Sequence, residues 1–273
     1  EYYGYTGDDA LVKELKDNIY KLDEFIRNFK DDDGLLDSGE PGKYGSPFLD
    51  WSPDIDKLGK SVILNAIYAE YMGNYATLRA VAGDANDEYE SEIMQHRQAV
   101  NDLLFDKNEG LYRDSCYQGE LSDNISMQGN MAAVYAGFAN EEISAQIINK
   151  IIARNYPPPF APSFYHIIFG ALAAAGRHDE ILRQIKYYWV PMINRGAKTW
   201  WEVFDPATPE WVYPHPYLGN VPTYEWESIP VSTCHGWSGT CAYAIPRYLL
   251  GINLLKMPRS EERRVGKECA TGC

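Results

Sequence analysis

Ala174-Ala175-Gly176-Arg177 is the stretch that decides the fold. It closes one segment of apolar periodicity and opens the next. Glycine at such a joint supplies the left-handed residue that caps a helix and lets the chain reverse into an antiparallel partner. The same joint recurs at Val81-Ala82-Gly83-Asp84 and at Tyr135-Ala136-Gly137-Phe138. Three such joints predict successive helical hairpins. Each hairpin can bury its apolar face only against its neighbours, which gives a closed α/α toroid or an open solenoid. The hairpins differ in length and follow no strict ~34-residue period, which favours the toroid.

Working outward, Leu11, Leu15, Ile19, Leu22, Ile26 and Phe29 recur at helical spacing and predict one amphipathic helix, stopped at Asp33-Gly34. Leu58, Val62, Ala66, Ile67 and Tyr71 predict a second. Tyr89, Ile93, Val100 and Leu104 predict a third, with Asp84 or Asp87 as its N-cap. Further helices are expected over Ser126–Phe138, Glu141–Arg154, Ser163–Ala175, Asp179–Ile193 and Cys234–Leu250. Short strands are expected near Gly110-Leu111-Tyr112 and Trp211-Val212-Tyr213. The class is therefore all-α. Three long connections, Asp33–Pro53, Tyr156–Pro162 and Phe204–Thr233, are rich in Gly, Pro, Trp and Tyr. Loops of this length are usually functional or disordered, and their aromatic content argues against disorder. Gathered on one rim, they would wall a cleft.

Composition narrows the partners. A hydrophobic share of 45% with 23% charged residues fits a soluble globular chain. The net charge of −14 argues against nucleic acid and against an anionic membrane surface. No apolar run reaches the ~18 residues of a membrane span. The start at Glu1 leaves the cellular compartment open. Cys116, Cys234 and Cys241 show no CxxC spacing and no disulfide framework. Residues 256–273 lack apolar periodicity and are read as an artefactual tail, which leaves 1–255 as the domain.

Two clusters carry candidate chemistry. Thr199-Trp200-Trp201-Glu202-Val203-Phe204-Asp205 sets a carboxylate behind two indoles, and Ser232-Thr233-Cys234-His235-Gly236-Trp237-Ser238-Gly239 adds a histidine and a third indole. Aromatic faces stack on the apolar faces of a pyranose, while carboxylates transfer protons. Glu202 is the candidate general base, with Trp200, Trp201, His235 and Trp237 as sugar contacts. Phe48-Leu49-Asp50-Trp51-Ser52-Pro53 offers Asp50 for a hydroxyl and Trp51 as a wall, or else a helix start capped at Ser52 or Asp54. Asp205 precedes Pro206 and reads as a turn residue. Glu225 and Glu227 flank Trp226 as a subsite or as solvated loop acids. Asp123 and Asn124 read as caps, and Gln128 would point inward from a barrel-lining helix. His96, His166, His178, His215 and His235 show no metal-ligand spacing, so neither metal nor cofactor is expected.

These blocks, in this order, resemble the catalytic domain of α-L-rhamnosidases of glycoside hydrolase family 78. The matching stretches are Phe48-Leu49-Asp50-Trp51, Pro162-Ser163-Phe164-Tyr165 through Ala174-Ala175-Gly176-Arg177, Trp189-Val190-Pro191-Met192, Gly196-Ala197-Lys198-Thr199-Trp200-Trp201-Glu202, and Ser232-Thr233-Cys234-His235-Gly236-Trp237-Ser238. The last two are specific. The resemblance implies an (α/α)6 toroid of six hairpins, of which this chain would supply about eight or nine of twelve helices, with long rim loops. It implies hydrolysis of terminal α-L-rhamnosides with inversion, Glu202 as base, and His235, Asp50 and Trp51 near the sugar. The family's general acid belongs to an Arg-Asp-rich motif absent here, so the acid is expected upstream and the isolated chain is expected to be nearly inactive. Lys198 stands where the family usually has Thr.

Three rival readings stand beside this one. Another six-hairpin glycosidase is the first, either trehalase-like or acting on unsaturated uronyl sugars. A uronyl enzyme would need a basic subsite, for which Arg177 and Arg195 are the nearest candidates. A non-catalytic carbohydrate-binding toroid is the second. A helical scaffold for protein partners is the third, and it would bury Trp200 and Trp201 in the core.

Overall fold

Gly83, Gly137 and Gly176 end helices as their sequence context predicts, at φ +86°, +68° and +69°. At each, the glycine N–H bonds the carbonyl three residues back and the next N–H bonds the carbonyl five back. The acceptors are Ala80 and Arg79, Val134 and Ala133, Ala173 and Leu172. This paired closure is the Schellman motif. A fourth, at Gly196 (φ +90°), uses Ile193 and Met192. It turns the chain toward Trp200–Glu202.

The computed structural model describes residues 2–39, 49, 50, 52, 54–86, 88–155, 162–202, 212–215, 219–222 and 232–252. Its helices are α1 Tyr2–Thr6, α2 Ala10–Glu14, α3 Lys16–Arg27, α4 Val62–Val81, α5 Glu88–Leu104, α6 Met127–Tyr135, α7 Glu141–Arg154, α8 Tyr165–Ala174, α9 His178–Asn194 and α10 Thr240–Ala244. A π turn over Ile245–Leu249 continues α10, and a 3-10 turn over Gly236–Gly239 precedes it. Three short antiparallel pairs accompany them. These are β1 Phe105–Asp106 with β2 Leu111–Tyr112, β3 Cys116–Tyr117 with β4 Glu120–Leu121, and β5 Val212–His215 with β6 Gly219–Pro222.

Packing follows the hairpin logic. An inner row runs α4 on α6, α6 on α8, and α8 on α10. Each of α5, α7 and α9 packs outside the helix before it. Eight of the residues of α6 and seven of α8 are buried, whereas α7 buries only Ile147, Ile148 and Ile151. Helices covered all round form the inner layer, and amphipathic ones form the outer layer. The inner helices approach closely at Gly170, where a Cβ would lie 2.4 Å from the ring of Tyr135. Trp189, Tyr165, Tyr188 and Phe169 fill the centre, with Trp189 5.1 Å from Tyr165 and tilted against Phe169 and Tyr188.

The first helix departs from its expected form. It breaks at Leu15, and Leu11, Leu22 and Phe25 are exposed while Asp23 is buried. Ile26 and Phe29 of the expected stripe pack against Leu36, Tyr68 and Met72, and a charge network adds to the docking. Arg27 Nε donates to Asp23 at 2.6 Å, and Arg27 makes two further bonds to Glu92 of α5 at 2.8 and 3.0 Å. Tyr71 of α4 donates to Asp23 at 3.1 Å. A bidentate guanidinium network fixes geometry more tightly than an apolar stripe does. The cap of α6 also differs from expectation. Ser126, rather than Asp123 or Asn124, caps α6 by accepting from Gly129 N–H at 2.9 Å. At α5, Asp84 accepts from Tyr20 and pairs with Lys16, Asn86 accepts from Glu88 N–H, and Asp87, the other expected cap, lies outside the described residues.

Candidate functional site

The two aromatic-polar clusters lie side by side. Glu202 N–H donates to Ser232 O at 2.9 Å, His235 N–H donates to Trp200 O at 2.9 Å, and the Thr199 hydroxyl donates to the Thr233 carbonyl. This register sets Glu202 next to His235, with Oε2 3.9 Å from Nδ1. The Ser232 amide also reaches Oε2, at 3.4 Å. Glu202 keeps 14% of its side chain exposed and His235 keeps 28%. At 3.9 Å the pair is just beyond hydrogen-bond range, so a small shift or a water can join them.

The backing is rigid. Trp201 lies in the core, and its backbone N–H points at Met192 Sδ at 3.3 Å. Trp189 Nε1 donates to Ser238 O at 3.0 Å, tying the Gly236–Gly239 turn to α9. The structure therefore separates the two adjacent indoles that the sequence groups together. Trp201 anchors the Glu202 segment from behind, whereas Trp200 is half-buried and borders a cavity of about 330 Å³ with Lys198, Cys234 and His235. Trp237 is 64% exposed, edge-on to His235 at 5.9 Å. It borders a larger cavity of about 390 Å³ with Leu49, Glu70, Ser163 and His166.

Asp50 is buried at the start of the inner row. Its Oδ2 lies 3.4 Å from Gln128 Nε2, which also donates to Ser52 Oγ at 3.0 Å. Gln128 points inward from α6, as expected of a barrel-lining position. Lys57 donates to the Asp50 carbonyl, and burial lowers the Lys57 pKa against the pull of Asp50's charge. Asp114 holds the neighbouring loop. It accepts from Ser126, Asn124 and the Asp56 amide, and burial raises its pKa although all four of those bonds favour the charged form. Trp51, Asp205, Glu225, Trp226 and Glu227 lie outside the described residues.

The sequence assigns no site role to Glu70, Tyr135 or His166. The Tyr135 hydroxyl donates to Glu70 Oε1 at 3.0 Å, and its ring stands edge-on to His166 at 6.4 Å. The available signal was a charge on the apolar helix α4. It was masked because a lone helical glutamate usually faces water. Among the described residues no three His, Cys, Asp or Glu side chains gather as metal ligands, and no helix is long and apolar enough to cross a membrane.

An inner row of helices with amphipathic helices returning outside it is the fold of the helical-toroid glycoside hydrolases. Within that class the chain is similar to the α-L-rhamnosidases of glycoside hydrolase family 78. A rhamnosidase from Klebsiella oxytoca, solved with rhamnose bound, is 25% identical across 92% of this chain at a TM-score of 0.68. A family 78 rhamnosidase of Bacillus sp. GL1 is 26% identical across 92% at 0.69. The chain spans 45% of the first and 24% of the second, less than half of either. The Trehalase family model matches residues 60–157, the stretch from before α4 to just past α7. No curated protein matches in sequence.

Proposed function

We propose that this chain is part of the catalytic domain of an inverting glycosidase that removes terminal α-L-rhamnose, with Glu202 as general base. The observation that carries the reading is the convergence of Glu202 and His235 at 3.9 Å beside the exposed face of Trp237. In this reading Glu202 takes a proton from the water that attacks the anomeric carbon. An opposed carboxylic acid protonates the leaving oxygen, about 6.5–9.5 Å away to leave room for that water. We assign that acid to a part of the protein outside this chain, so the chain alone turns over little. His235 orients the water or a hydroxyl, Trp237 and Trp200 offer stacking faces, and Trp201 holds the base in place. Asp50, set by Gln128, and Trp51 complete the sugar contacts. The similarity to two rhamnosidases, one with rhamnose bound, supports the sugar assignment. The trehalase match is a second pointer, but its span contains none of Glu202, His235 or Trp237.

The test is hydrolysis of p-nitrophenyl α-L-rhamnoside by the whole parent protein. Glu202→Gln should lower kcat by about 10²–10⁴-fold, the usual contribution of a general base. Release of β-rhamnose first, seen by NMR, would support inversion. Turnover unaffected by Glu202→Gln would sink the assignment. Activity on α,α-trehalose in place of the rhamnoside would keep the base and replace the sugar.

A further inference from the structure

Glu70 of α4 and His166 of α8 both face the cavity beside Trp237, and neither belongs to the Glu202–His235 pair. Their hydrogen bonds fix what each can offer. His166 Nδ1 lies 2.9 Å from the Ser163 carbonyl oxygen. A carbonyl only accepts, so Nδ1 carries the proton and Nε2 of the neutral ring is an acceptor. Glu70 Oε1 accepts from the Tyr135 hydroxyl at 3.0 Å, and among the described residues Oε2 has no partner. Tyr135 is itself lodged against α8 at Gly170, where its ring fills the space that a side chain would take. The carboxylate is thus held by the packing of two inner helices.

We propose that Glu70 and His166 are a pair of hydroxyl acceptors that makes this cavity a subsite for a neutral sugar and excludes a uronate. The inference rests on the glycosidase reading and deepens it. A sugar hydroxyl can donate to Oε2 and another to Nε2, while the Trp237 indole and the apolar side chains of Leu49 and Phe164 take the C–H faces. A uronate would bring its carboxylate to Glu70 in a cavity that, among the described residues, is bordered by no lysine or arginine. Its volume of about 390 Å³ falls within the ~300–1,000 Å³ of small-ligand pockets.

The experiment is calorimetric or NMR titration of the chain with methyl α-L-rhamnoside and with D-glucuronate. The neutral glycoside should bind at least about tenfold more tightly, and Glu70→Gln and His166→Ala should each weaken it about tenfold, the cost of one strong hydrogen bond. Glu70→Gln should also narrow the gap between the two ligands, which a merely structural role would leave unchanged. Circular dichroism confirms that each variant is folded. Binding within twofold of the unaltered chain in both variants, or a uronate bound as tightly as the neutral glycoside, overturns the proposal. If affinity falls with Trp237→Ala but not with Glu70→Gln or His166→Ala, this inference fails and the glycosidase reading stands. If the unaltered chain binds neither ligand, this inference fails, whereas the glycosidase reading falls only if the whole parent protein turns over no glycoside.

Discussion

Replacing Asp114 tests the framework beneath the site. Four donors converge on its carboxylate. Ser126 N–H and Oγ reach Oδ1 at 2.8 and 2.7 Å, and Asn124 Nδ2 and Asp56 N–H reach Oδ2 at 2.7 and 3.1 Å. In Asp114→Ala the Ser126 hydroxyl can rotate, and Asn124 keeps its bond to the Asp54 carbonyl. Two backbone amides are left without acceptors, at about 1–3 kcal/mol each, so the variant should lose about 4 kcal/mol. Asp114→Asn keeps one oxygen and orphans one amide, for a loss of about 2 kcal/mol. Urea unfolding followed by circular dichroism reads both values. The pH dependence adds a sign. Burial holds the Asp114 pKa above its unfolded value of about 3.9. Its contribution is therefore fully present below about pH 3.9 and is lost as pH rises through the folded value. The cost of Asp114→Asn should accordingly be larger near pH 4 than near pH 8. Losses under about 1 kcal/mol, equal losses in the two variants, or a cost that grows with pH would refute the reasoning.

Three further outcomes follow from single positions. His96 is buried with Nδ1 3.2 Å from Gly34 O and Nε2 3.1 Å from Asn65 O, and burial lowers its pKa although both carbonyls pull it up. Its contribution is present above the unfolded value of about 6.5 and lost as pH falls through the folded one, so thermal midpoints should drop in that window and His96→Gln should flatten the drop. Gly170→Ala forces a methyl to within 2.4 Å of the Tyr135 ring and should cost about 1–3 kcal/mol in chemical denaturation, together with weaker sugar binding as Tyr135 leaves Glu70. Gly196→Ala meets open space but φ +90°, so it should cost about 1–2 kcal/mol, and in the parent protein it should reduce turnover by displacing the Trp200–Glu202 segment.

The helical joints were legible because one residue type answers one backbone demand. Only glycine takes φ near +68° to +86° without strain, and Gly83, Gly137 and Gly176 each do so at a helix end. The pairing of Glu202 with His235 was legible as two clusters but not as a contact, since about thirty residues separate them and a β-like register joins them. The orientation of α3 was legible only in part. Periodicity names Ile26 and Phe29, which do pack on the core, but not Asp23, Arg27 and Glu92, whose pairing depends on the position of α5. The separation of Trp200 from Trp201 was hidden for a related reason, because neighbours in an extended segment point to opposite sides. His166 was hidden by chemistry of position: its usefulness lies in a tautomer set by the Ser163 carbonyl, which no spacing rule reports.

Loop length explains why the site forms where it does. The inner helices α4, α6, α8 and α10 contact one another in order, and α5, α7 and α9 return between them, so the inner helices all run the same way. Their leading ends share one rim. Short glycine-capped joints follow α4, α6 and α8 and close the opposite end, where little chain is left to carry chemistry. The connections that reach the shared rim are longer, spanning 105–126 before α6 and 195–239 before α10. Asp50 and Ser52 precede α4, Ser126 and Gln128 open α6, Ser163 and His166 stand at the start of α8, and Trp237 precedes α10. Helix starts concentrate unpaired amides and positive potential, which suits carboxylates and sugar oxygens. The hairpin repeat that builds the core therefore also sorts the chain into a sealed end and a working end, and among the described residues Trp237 stands at the second.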